Sequence, residues 1–117
     1  MNQVVHFEIV GADAARLQAY YAELFGWTYA VGDAVSPEVA APGTYGFVQA
    51  GLNGGVAGGD SARTVIYVGV DDVGLALGHA ERLGGKRVFG PLGTPGQLVI
   101  GQFTDPAGNL IGVAGSK

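Results

Sequence analysis

Between Val4 and Val10, apolar side chains alternate with His6 and Glu8, a period of two that predicts a β-strand. Val5, Phe7 and Ile9 form one face, suited to packing against a helix. Val4, His6, Glu8 and Val10 form the other, and two polar side chains there point to a wet or ligand-lined surface. From Asp13 the period changes. Asp13 is a good N-cap, Ala14, Leu17, Tyr21 and Leu24 follow at helical spacing, and Gly26 is placed to end the helix in the left-handed conformation. Trp27 to Val31, Tyr45 to Ala50 and Leu52 to Gly58 read as three more strands, with a loop from Gly32 to Gly43 that holds Pro37 and Pro42.

The same plan then recurs. Thr64 to Val70 is an apolar strand, with Ile66, Val68 and Val70 toward a helix and Val65 and Tyr67 pointing as His6 and Glu8 do in the first copy. Asp72 caps a helix with the stripe Val73, Ala76, Leu77, Ala80 and Leu83, stopped by Gly84-Gly85. Lys86 to Phe89, Gln97 to Thr104 and Asn109 to Ala114 complete the set, the last two joined by the turn Asp105-Pro106-Ala107-Gly108. Asp13 matches Asp72, so the period is about half the chain. A repeat of that length is one supersecondary unit used twice. The order is βαβββ, twice, within a single domain: about residues 1–60 and about 61–117. Two similar halves that face each other can enclose a shared cavity, so a site is expected at their seam.

Composition narrows the function. A chain of 117 residues, 48% hydrophobic and only 14% charged, has ample apolar material for one core. A formal net charge of -4 with six Lys plus Arg argues against nucleic acid or an anionic membrane surface as partner. The absence of cysteine removes disulfides, thiolate nucleophiles and Cys-held zinc or iron–sulfur sites. No apolar run reaches the ~20 residues of a membrane span, and MNQVVHFEIV lacks the basic start of a signal peptide. A soluble, cytoplasmic protein is expected. Low charge and open sheet edges further predict a homodimer.

Three segments, HFEIVGADAARLQAYYAELFGW, VGVDDVGLALGHAERLGGKRVFGP and FTDPAGNLIGV, together resemble the vicinal oxygen chelate superfamily of glyoxalases, bleomycin-resistance proteins and extradiol dioxygenases. The resemblance implies an α+β fold in which two βαβββ modules form a curved mixed sheet, its concave face a cup for a ligand or metal. In metal-using members of that superfamily the ligands sit on the first and last strands of each module. His6, seven residues before Asp13, matches the first ligand position. Its second-module equivalent is Val65, the last-strand position seven after Asp105 is Gly112, and Gly54 to Gly58 holds no carboxylate. Asp60 lies just past that strand. At most one of four ligands is present, and a lone imidazole does not hold a divalent ion. No cofactor is expected, with a divalent metal as the alternative.

The candidate residues each have a functional and a plain reading. His6 and Glu8, at i and i+2 on one strand face, suit acid–base work on a polar ligand; the plain reading is a satisfied interior histidine and a glutamate paired with an arginine such as Arg63. Tyr45, Phe47 and Gln49 alternate on one strand face as an aromatic wall with a polar handle, or else are core. Tyr67, at the Glu8-equivalent position, is a ligand contact across the cavity or a packed wall. His79 reads as surface, and Trp27 as a core or interface anchor. The expectation is a small-molecule binder that works without the family's metal. The alternatives are a lyase or oxidoreductase of glyoxalase or dioxygenase type, acting through a metal or through His6 and Glu8, and a structural dimer.

Overall fold

Asp-capped segments become helices and the alternating segments become strands. The computed structural model describes residues 2–117, and these divide into two compact units, His6–Thr64 and Val65–Lys117, the residues before His6 grouping with the second.

The first unit holds most of β1 (Val4–Gly11), then α1 (Ala14–Phe25), β2 (Ala30–Gly32), β3 (Tyr45–Ala50) and β4 (Leu52–Gly58). Its strands lie in the order β2-β3-β4-β1, with β1 parallel to β4 and the other pairs antiparallel. α1 begins where the Asp13 carboxylate accepts the Arg16 amide and ends where Gly26 turns left-handed at φ 73°. The second unit repeats this with β5 (Arg63–Gly69), α2 (Val73–Arg82), β6 (Lys86–Gly93), β7 (Val99–Thr104) and β8 (Leu110–Gly115). Its order is β5-β8-β7-β6, with β5 parallel to β8. The Asp72 carboxylate accepts the Leu75 amide to start α2. Asp105 accepts the amides of Ala107 and Asn109, which closes the turn between β7 and β8.

Several boundaries differ from the sequence reading. The strand expected over Trp27–Val31 is only Ala30–Gly32, because Trp27 packs its ring against Phe7, Tyr21 and Phe25 and the Tyr29 hydroxyl donates to the Gln18 carbonyl. The strand expected to stop before Pro91 runs on to Gly93. As an edge strand, β6 tolerates a proline that has no amide to offer, and its register shifts at Phe89 and Leu92. β7 starts two residues late, since Gln97 and Leu98 turn back onto Thr94.

The two helices pack unequally. Val73 and Leu77 of α2 are fully buried with Val99 and Val113; Leu83, expected on the same stripe, is exposed beyond the helix end. α1 buries no residue completely. Leu24, expected on its apolar stripe, is exposed with Tyr20 and Phe25. In place of an aliphatic seat, the Gln18 amide donates to the carbonyls of Thr44 and Val56 and pins α1 to the strand backbone.

Candidate functional site

In the first unit the register aligns Glu8 with Gly55 and Gly55 with Phe47. His6 lies opposite Asn53, and Asn53 opposite Gln49. These two rows bring four of the sequence-predicted residues, His6, Glu8, Phe47 and Gln49, onto adjoining positions of the outer two of three strands. Tyr45, from β3, is the one that reaches across. Its hydroxyl donates to Glu8 Oε2 at 2.9 Å and lies 2.8 Å from His6 Nε2. Its ring stacks on that of His6, and Phe47 packs beside it with centroids 4.7 Å apart.

Gly55 makes this crossing possible. A Cβ at position 55 would lie 2.1 Å from the Tyr45 ring, far inside van der Waals contact. The reason for glycine here is close approach by a ring, not backbone freedom.

Burial is uneven across this face, which the sequence reading expected to be wet or ligand-lined. Glu8 is 3% exposed and Tyr45 2%, whereas Phe47 is 44% exposed. His6 is half-buried and Gln49 exposed. Burying a carboxylate is costly unless it is hydrogen-bonded, and the Tyr45 hydroxyl supplies such a bond. Arg63, considered as a partner for Glu8, donates instead to the Val39 carbonyl. Burial lowers the pKa of His6 below its ordinary value by disfavouring the charged ring. At neutral pH the imidazole is therefore uncharged, the form in which one ring nitrogen donates and the other accepts.

In the second unit Tyr67 is 2% exposed and lies opposite Gly112, which in turn faces Gln102. A Cβ at 112 would sit 2.3 Å from the Tyr67 ring. Gln102, equally buried, donates its amide to the Tyr67 hydroxyl at 2.7 Å. Gln102 was missed by sequence reasoning. The available signal was a single amide inside the apolar run Val99–Phe103, since a buried polar side chain needs a built partner.

The same two glycines decide how a divalent metal would fare. Gly112 stands at the last-strand position seven after Asp105, Gly55 holds the corresponding place in the first unit, opposite Glu8, and each is overlain by a tyrosine ring. Val65 stands at the second first-strand position. Asp60 is exposed and lies outside β4. Among the described residues no three of His, Cys, Asp and Glu converge. One imidazole and one carboxylate already tied to tyrosine do not make the donor set that a divalent ion needs. The residues present do not fit the group.

The fold, the repeat and the ligand-strand geometry define a class. The family model described as a glyoxalase-like domain matches residues 6–114, and the chain belongs to that family. It is thereby a member of the vicinal oxygen chelate superfamily. Solved structures agree on the α+β fold. A hypothetical protein from Bacillus halodurans matches with TM-score 0.72 and 13% identity, covering 99% of this chain and 95% of that one. A Streptomyces coelicolor methylmalonyl-CoA epimerase variant, in complex with 2-nitronate-propionyl-CoA, matches at 0.70 and 14% identity over 99% and 98%. The Mn(II)-bound glyoxalase from Novosphingobium aromaticivorans matches at 0.64 and 22% identity over 99% of this chain but 40% of that longer one. No curated protein sequence matches the chain. Among the described residues, no helix is long and apolar enough to cross a membrane.

Proposed function

We propose that this protein binds a small molecule against the His6–Tyr45–Glu8 face of its first unit, without a divalent metal. The observation that carries the reading is the hydrogen-bonded chain from a half-buried imidazole through Tyr45 to a buried carboxylate, bordered by the exposed ring of Phe47 and the exposed amide of Gln49. An apolar platform beside a few convergent polar groups is how small-molecule sites are generally built. The relatives whose structures hold CoA esters make thioesters a sensible first set of probes.

A second reading is acid–base catalysis by the same pair. It is favoured by the lowered pKa of His6, which leaves a neutral base at physiological pH. Proton abstraction next to a carbonyl is the reaction class that a neutral imidazole beside a buried carboxylate suits.

The proposal takes the working protein to be a cytoplasmic homodimer, an assembly supported by Tyr20, Leu24 and Phe25 standing exposed on α1. Light scattering is expected to give twice the chain mass at tens of micromolar; a monomer mass would refute the dimer.

The function is tested by titrating methylmalonyl-CoA and related thioesters into the wild type, Glu8→Gln and Glu81→Gln. Glu81 is exposed on α2 and paired with Arg87. Binding or turnover is expected to weaken at least about tenfold in Glu8→Gln, the equivalent of one charged hydrogen bond, and to stay unchanged in Glu81→Gln. Equal effects would contradict the reading.

A further inference from the structure

We infer that Tyr45 is a positioning residue that joins His6 and Glu8 into one directed hydrogen-bond chain and holds His6 as the Nε2–H tautomer. The inference concerns the cluster itself and holds with or without the ligand proposed above.

A tyrosine hydroxyl has one hydrogen to donate and two lone pairs. An ionised carboxylate can only accept. With Tyr45 donating to Glu8 Oε2 at 2.9 Å, its single hydrogen is committed. What the hydroxyl then turns toward His6 Nε2, 2.8 Å away, is a lone pair. Two lone pairs do not attract at that distance, so Nε2 carries the hydrogen. In the neutral ring the lone pair consequently belongs to Nδ1.

The chain runs one way: Nε2–H to Tyr45, Tyr45 to Glu8. Its direction would reverse only if Glu8 carried the proton and donated to Tyr45, which would then donate to Nε2. The reversed state holds one proton more, on Glu8, and carries the neutral ring's hydrogen on Nδ1, so through Tyr45 the tautomer of the imidazole is tied to the protonation state of the carboxylate. The device depends on Gly55, because a side chain there would push the Tyr45 ring off the strand.

Ring-nitrogen NMR of the ligand-free protein near neutral pH tests this. The chain has two histidines, and His79, exposed on α2, serves as an internal reference. The expected signature for His6 is a protonated Nε2, an unprotonated Nδ1 and a slowly exchanging Nε2–H proton. In Tyr45→Phe that proton should exchange about tenfold faster, the equivalent of losing one hydrogen bond, while His79 is unmoved. Gly55→Ala should give the same loss with all three polar side chains still present, which a merely structural role for the tyrosine hydroxyl does not predict.

An Nδ1–H tautomer in the wild type would overturn the inference, as would a His6 signature unchanged in either folded variant. Should both variants fail to fold, the wild-type tautomer alone decides. Neither outcome depends on whether a thioester binds.

Discussion

In the first unit the aromatic ring that crosses a last-strand glycine comes from the third strand and ends on a carboxylate of the first. In the second unit the ring comes from the first strand and meets an amide on the third. Tyr45 over Gly55 to Glu8, and Tyr67 over Gly112 to Gln102, are one bridge built in opposite directions. The repeat keeps the glycine, because only glycine lets a ring lie across the strand, and exchanges everything at the two ends. Helix packing diverges in step. α2 seats Val73 and Leu77 in an aliphatic cluster, whereas α1 buries nothing fully and is pinned by the Gln18 amide. The second unit has spent its repeat on a core. The first has kept an imidazole, a carboxylate and an exposed aromatic on one sheet. A duplicated fold thus allows one copy to supply stability while the other carries groups that stability alone does not require.

The largest expected effect sets the helices against each other. Leu77→Ala is expected to destabilise the protein by about 2–5 kcal/mol, the usual range for emptying a buried leucine site. Leu24→Ala, at an exposed position, should change stability by less than about 0.5 kcal/mol. Urea unfolding of both variants checks this, and comparable losses would erase the distinction between core helix and surface helix.

The bridges come next. Gly55→Ala and Gly112→Ala each force a Cβ into a tyrosine ring, and overpacking of this kind costs roughly 1–3 kcal/mol. Gly32→Ala, where the nearest atom of Phe47 lies 3.8 Å away, should cost far less. Thermal melts that rank Gly32→Ala with the other two would show that the rings yield freely.

The smallest effect is a pH dependence confined to the first unit. His6 is held below its ordinary pKa by burial, so below about pH 6.5 the unfolded chain binds a proton that the folded chain takes up less readily. Stability contributed by the neutral, buried ring is therefore present above that pH and lost on acidification. Denaturant unfolding between about pH 8 and about pH 5 should show a steeper loss in the wild type than in His6→Gln. Parallel curves would contradict the assigned direction.

Much of this comparison was legible in the chain. The Asp13 and Asp72 caps, the strands Tyr45–Ala50 and Leu52–Gly58 and the Asp105 turn follow from local rules that hydrogen-bond geometry enforces within a few residues. The alternation that placed His6 with Glu8, and Tyr45 with Phe47 and Gln49, was likewise local. What did not show was depth. Glu8 is more buried than Phe7 or Phe47 and meets the hydroxyl of a tyrosine 37 residues away, and no periodicity reports a contact of that range. Gln102 stayed unseen for the same reason. Trp27 left its strand because ring packing outweighs strand propensity at a short edge. The glycines at 54, 55 and 112 read as missing ligands and weak strand formers. Their positive role, as floor for an aromatic ring, appears only when the facing strand is known.

The most direct test of the claim that the first unit carries the site is to map where small molecules bind. A library of small polar fragments, titrated into labelled protein and followed by amide NMR, is expected to perturb resonances around His6, Glu8, Phe47 and Gln49, and to lose that pattern in Glu8→Gln. Perturbations confined instead to the second unit, such as the apolar groove lined by Ala76, His79, Leu83 and Phe103, would contradict the account.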